Sequence, residues 1–143
     1  MASIVYSNWL LKGYDASTKI NLASGGDTLK IALVTSTYAP NQATHDFFDD
    51  VTNETIGSTG YTSGGNTLTS QTCTLSSTTL KFDANDPAWT TSTITARGAV
   101  VYKSTGVAST SPLICYIDFG ADYASVGGTF AITFATAGIV NIT

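Results

Sequence analysis

Trp89-Thr90-Thr91-Ser92-Thr93-Ile94-Thr95-Ala96-Arg97-Gly98-Ala99-Val100-Val101-Tyr102-Lys103 decides the fold of this chain. Thr, Ile and Val fit a pleated, half-buried surface, so the stretch reads as a long β-strand. It closes a region, Gly60 to Val101, in which short Thr/Val-type strands are cut by Gly, Asn and Asp. Arg97-Gly98 interrupts the run and is expected to mark a bulge.

The same pattern extends outward on both sides. Leu29-Lys30-Ile31-Ala32-Leu33-Val34 is a strong strand candidate, after the alternating Ile20-Asn21-Leu22 and the turn Ser24-Gly25-Gly26-Asp27. The Gly-Gly pair is not followed by a phosphate-binding pattern and reads as a plain turn. Strands are expected at Thr67–Leu75 and Thr79–Asp83, joined by Ser76-Ser77-Thr78. Others follow at Leu113–Phe119, at Thr129–Phe134 after Gly127-Gly128, and at Ile139–Ile142. In Thr129–Phe134 the side chains of Phe130, Ile132 and Phe134 share one face.

Two segments read as short helices. Ile4 to Tyr14 allows a helical spacing ended by Gly13, although Ile4-Val5-Tyr6 equally opens a strand. This N-terminal piece (about 4–14) is either a cap on the body or an arm that docks on a neighbour. Thr44 can cap a helical turn carrying Asp46, with Phe47, Phe48 and Val51 turned to the core. The prediction is therefore an all-β protein, mainly antiparallel. It is a single β-sandwich or jelly-roll domain over 1–143, with about eight strands and one or two short helical segments.

Composition narrows the function. Hydrophobic residues make up 43% of the 143 and charged residues only 11%, so Thr and Ser supply most of the polarity. Charge is depleted at interface cores, and such a surface suits one partly covered by partners. The net charge is −4 and no basic run occurs, which argues against nucleic acid as a partner. No apolar run reaches the roughly 18 residues of a membrane span. The start, Met1-Ala2-Ser3-Ile4-Val5-Tyr6, lacks a basic segment followed by a long apolar one, so synthesis and folding in a cytoplasm are expected. Cys73 and Cys115 then read as buried free thiols.

Reactive chemistry is sparse. Thr44–Glu54 holds the only His, His45, and four of the ten acidic residues. Asp46, Asp49 and Asp50 have the oxygen chemistry of a calcium site, but their order differs from an EF-hand loop. Asp49 with Asp118 or Asp122 is a conceivable carboxylate pair. A Ser–His–Asp arrangement has to use His45, and no G-x-S-x-G elbow is present. We expect no catalytic residues, no metal and no cofactor, and read His45 as a structural or interface histidine. Trp9, Tyr14, Tyr38, Tyr61 and Trp89 are either core or a platform for sugar faces. The interface candidates are Trp9, Leu10, His45, Phe47 and Phe48.

The order of segments resembles a known group. Tyr6-Ser7-Asn8-Trp9-Leu10 leads to Asp27-Thr28-Leu29-Lys30-Ile31-Ala32-Leu33-Val34-Thr35. Then come His45-Asp46-Phe47, Gly60-Tyr61-Thr62-Ser63-Gly64-Gly65 and Trp89 before Thr93-Ile94-Thr95-Ala96-Arg97. The series ends through Ala99-Val100-Val101-Tyr102 and Pro112-Leu113-Ile114 to Ile117-Asp118-Phe119-Gly120. Over nearly the whole chain this is similar to small structural proteins of tailed-bacteriophage virions, encoded among the head genes. The resemblance implies a capsid decoration (cement) protein on the outer shell, bound to the major capsid protein as a homotrimer. It transfers no catalytic residue. An acidic chain is repelled by packaged DNA, which fits an outer position. The alternatives are a tail, neck or baseplate component, or a glycan-binding surface module.

Overall fold

The structure is a computed structural model that describes residues 2–9, 11 and 19–143. Among them are eight strands: β1 (Ile4–Val5), β2 (Leu29–Val34), β3 (Asn66–Thr67), β4 (Thr72–Ser76), β5 (Thr79–Asp83), β6 (Ala88–Lys103), β7 (Leu113–Ala131) and β8 (Val140–Ile142). Every pairing is antiparallel. One sheet has the order β1-β7-β6-β2-β3 and the other β4-β5-β8. The expected all-β class holds, and the strands fall into two sheets.

β2 alternates in a way that explains its apolar density. Leu29, Ile31 and Leu33 belong to one core cluster, while Ala32 and Val34 belong to another on the opposite face. β6 does the same beyond Gly98: Ala99 and Val101 join the first cluster, Val100 and Tyr102 the second. A continuous apolar run is what a strand covered on both faces requires. Before Gly98, β6 is one-sided. Trp89, Ile94 and Ala96 point inward, and Thr91, Thr93 and Thr95 are exposed.

The first cluster lies between the sheets, with Phe82 of β5 and Val140 of β8 packing against the larger sheet. The second is closed by chain rather than by strands: Tyr6, Tyr38, Phe48 and Val51 lie over Ala32, Val34, Val100 and Tyr116. This covering layer explains why β2, β6 beyond Gly98 and the start of β7 are buried on both sides.

Several expectations are corrected. Ile4–Val5 opens a strand, paired with Tyr116 and Cys115. Asn8, Trp9 and Leu11 are helical, and Leu10 and Gly13 lie outside the described residues. Thr44 caps no helix. The turn is a 3-10 turn at Phe48–Asp50, preceded by Phe47 in a β-bridge to Pro112. Ile20 and Leu22 are buried without forming a strand. The run Thr67–Leu75 is two strands, broken near Ser70, whose φ is 52°. The expected strands around Leu113 and Phe130 are one strand, β7. The bulge at Arg97-Gly98 is present: Arg97 alone lies between the pairs Ala96↔Tyr123 and Gly98↔Asp118, against Phe119 to Asp122 on β7.

Two glycines make close approaches possible. At Gly98 a β-carbon would meet the Tyr116 ring, 2.5 Å from Cε2. At Gly65, with φ +75°, it would overlap the carbonyl oxygen of Ile31. Gly106 has a similar φ of +87° but faces open space. Gly65→Ala is therefore expected to cost about 3 kcal/mol or more, and Gly106→Ala about 1 kcal/mol. Urea unfolding of the two variants measures the difference, and equal losses would show that the packing at Ile31 tolerates the methyl group.

Candidate functional site

The covering layer over the second cluster holds most of the residues that the sequence nominates. The Tyr6 and Tyr38 hydroxyls lie 2.8 Å apart, and Tyr38 Oη is 3.1 Å from His45 Nδ1. The Asn41 amide donates to the same Nδ1 at 3.3 Å. An amide nitrogen can only donate, so Nδ1 is the acceptor in this contact. The Tyr6 and His45 rings stack, 6.4 Å apart at 24°. His45 thus ties the loop 38–45 to the N-terminal segment. Gln42 adds a donation from Nε2 to the Val5 carbonyl at 2.8 Å.

Phe48 lies flat on Tyr102, with ring centroids 4.0 Å apart at 15°, and is half-buried. Phe47 is half-buried beside Pro112. Trp9 is 5% exposed and belongs to the first cluster, so its ring is core in this chain. Leu10 lies outside the described residues. The structure brings His45, Phe47 and Phe48 into one layer and puts Trp9 in the other core.

A second constellation escapes a linear reading. Tyr61 stacks on Trp89, and its hydroxyl accepts the Leu33 amide at 3.0 Å. The same hydroxyl donates to Glu54 Oε1 at 2.6 Å, and the Gly64 amide donates to that oxygen. Glu54 is also bridged to Val34. The carboxylate fixes the loop 54–64 to β2. No sequence motif marks Glu54, because its partners come from a turn ten residues away.

Burial sets the proton chemistry. It pushes the phenols of Tyr6, Tyr38, Tyr61, Tyr102 and Tyr116 upward, with the Tyr38 bond adding to the effect at Tyr6 and Glu54 adding to it at Tyr61 and Tyr102. These hydroxyls stay protonated near neutral pH and act as hydrogen-bonding groups. Burial also pushes the Cys115 thiol up to about 12. Cys115 is buried, Cys73 is half-buried, and both are free.

Asp50 and Asp118 make structural hydrogen bonds. Asp50 accepts the amides of Asp46 and Phe47, at 2.9 and 3.4 Å. Asp118 accepts from Arg97 Nε at 2.9 Å and from the Gly120 amide at 3.0 Å. Arg97 and then that amide hold the Asp118 carboxyl down to about 2. Among the described residues no group of three His, Cys, Asp or Glu side chains is placed to hold a metal ion. Among the described residues no helix is long and apolar enough to cross a membrane. A concavity of about 530 Å³ lies beside β7, lined by Ile117, Phe119, Tyr123 and Phe130 among others. No family model, curated protein or solved structure matches this chain.

Two outcomes follow from this geometry. A carboxyl whose folded pKa lies below its unfolded 3.8 adds stability above that pH, and loses it as pH falls toward 2. The stability gap between the natural chain and Asp118→Asn should be constant from pH 7 to about 5 and close between about 4 and 2. Urea midpoints across that range read it, and a gap that persists at pH 2 contradicts the ion-pair assignment. Phe48→Ala should cost about 2 kcal/mol of folding stability, because it removes a half-buried ring stacked on Tyr102. An unchanged thermal transition would make Phe48 a surface group.

Proposed function

We propose that this chain is a structural virion protein of a tailed bacteriophage, a decoration or cement protein on the outer capsid surface. In this reading it binds the major capsid protein as a homotrimer and has no catalytic role. One observation carries the proposal. The two most distinctive segments of the resemblance, Asp27–Thr35 and Gly60–Gly65, meet in space. Tyr61 accepts the Leu33 amide, and Gly65 lies against Ile31. The matching residues are thus the ones that fix the body of the fold, as expected of a protein whose function is its shape.

The rest of the chemistry supports the reading. A cement protein needs a rigid body with surfaces that bury against other protein, and only 11% of this chain is charged. Its buried Tyr hydroxyls and the half-buried Glu54 carboxylate fasten loops. A protein that binds only the assembled shell stabilises that shell by mass action. A net charge of −4 favours the face away from packaged DNA.

The test is to mix the purified protein with empty shells and sediment them. Saturable co-sedimentation at a stoichiometry that matches lattice sites is expected, together with greater heat resistance of the decorated shells. A protein that stays in the supernatant would move the reading to a tail, neck or baseplate component, or to a glycan-binding module.

A further inference from the structure

From Thr55 to Leu80 the chain contains no Asp, Glu, Lys, Arg or His. At the centre of this stretch β4, Thr72-Cys73-Thr74-Leu75-Ser76, forms one border of the smaller sheet. Among the described residues it pairs only with β5. Its outer residues are exposed, and Leu75 is 69% exposed.

Sheet borders in proteins are normally blunted by brevity, bulges, Pro or charge. Other borders are short or irregular: the side of β6 from Ala88 to Arg97 that β2 leaves open is bridged at Thr93 to Thr59 and interrupted at Thr91, whose φ is 50°. β1 and β3 have two residues each and β8 has three. The long outer side of β7 is broken by register irregularities opposite Arg97 and Thr93. β4 has five residues in unbroken register with β5, no charge and no Pro.

The backbone of β4 is self-complementary. Ser77-Thr78 is a two-residue hairpin loop, so Ser76 and Thr79 exchange hydrogen bonds across it, and Thr74 and Thr72 follow at alternate positions. On the far side of β5 the Phe82 carbonyl accepts the Ile139 amide, which fixes the same alternation. Cys73 and Leu75 therefore aim their N–H and C=O groups at the open side.

We infer that β4 pairs antiparallel with β4 of a second copy, about a two-fold axis through Thr74. Cys73 then exchanges both backbone hydrogen bonds with Leu75 of the other copy, and Leu75 does so with Cys73. Thr74 faces Thr74, and Thr72 faces Ser76, pairs that hydrogen-bond across strands. Each exposed Leu75 is laid beside the other copy's Cys73, which packs against the first core cluster. Two three-stranded sheets become one of six strands.

Charge selects this occupant. Two copies of a chain with net charge −4 repel, and this border is where no charge opposes contact. On the neighbouring strand β5, Lys81 and Asp83 neutralise one another at 3.2 Å. An acidic or basic partner finds nothing to pair with here, whereas a second β4 matches every donor and acceptor. The inference stands independently of the capsid reading, since a two-fold contact doubles a monomer or joins two trimers alike.

The experiment compares the natural chain with Leu75→Pro by sedimentation equilibrium over a wide concentration range. Pro at 75 removes an N–H that has no partner among the described residues, so a border strand tolerates it while pairing is blocked. The natural chain should reach twice the mass of Leu75→Pro at high concentration, with the two circular dichroism spectra alike. A second variant, Thr74→Cys in a Cys73→Ser background, places two thiols across the axis and should form a covalent dimer on mild oxidation. Equal masses for the natural chain and Leu75→Pro, or a Thr74→Cys protein that stays uncrosslinked, would overturn the inference. A trimer insensitive to Leu75→Pro would overturn it and leave the capsid reading standing.

Discussion

The burial of β6 on both faces is the constraint on which the rest of the structure depends. From Ala99 to Tyr102 every side chain is enclosed, and so are those of Ile31 to Val34 and Leu113 to Tyr116 beside it. A strand pair in that position needs two covers. The smaller sheet supplies one, through Phe82 and Val140, and irregular chain supplies the other, through Tyr6, Tyr38, Phe48 and Val51. Loops laid on a core carry backbone groups and side-chain hydroxyls that must be satisfied. The Tyr6–Tyr38–His45 chain and the Glu54 carboxylate are the solutions found. The polar groups that look like a site are thus consequences of using loops where another fold would use a third layer.

The legibility of the fold follows from the same division. Where burial is periodic, the sequence reads directly: Thr91, Thr93 and Thr95 alternate with Ser92, Ile94 and Ala96, and exposure alternates with them. The continuous run from Ala99 to Tyr102 announces cover on both faces, and Arg97-Gly98 announces the irregularity between the two regimes. The second half of β7 was harder to place. Gly127-Gly128 has the chemistry of a turn between strands, yet it lies within β7 as an irregularity, because β6 continues to pair beyond it at Trp89. Long-range pairing overrode the local signal.

The covering layer was legible only in its parts. Of Phe47, Phe48 and Val51, all expected to turn toward the core, Phe48 and Val51 pack against the second cluster, and a 3-10 turn rather than a capped helix presents them. His45, expected to be a hydrogen-bonded structural or interface residue, is hydrogen-bonded through Nδ1. Its partners Tyr6 and Tyr38 sit 39 and 7 positions away with no periodic relation, so no pattern joins them. Glu54 and Tyr61 were unreadable for the same reason: loop fastenings depend on where the loop returns, which only the assembled sheet determines.

Charge has an uneven geography that the net value hides. The turn around Asp46, Asp49 and Asp50 is acidic, while β4, its hairpin and the loop before it carry no charge. Screening shortens the reach of the acidic turn to about 10 Å at ordinary ionic strength, so its repulsion acts on contacts made near it and weakly on distant ones. Two copies brought together would therefore be opposed at the acidic turns and least opposed where Thr, Ser and backbone are presented. A low content of charge thus becomes directional. The acidic turn opposes contact with another negative chain, and the uncharged β4 border does not.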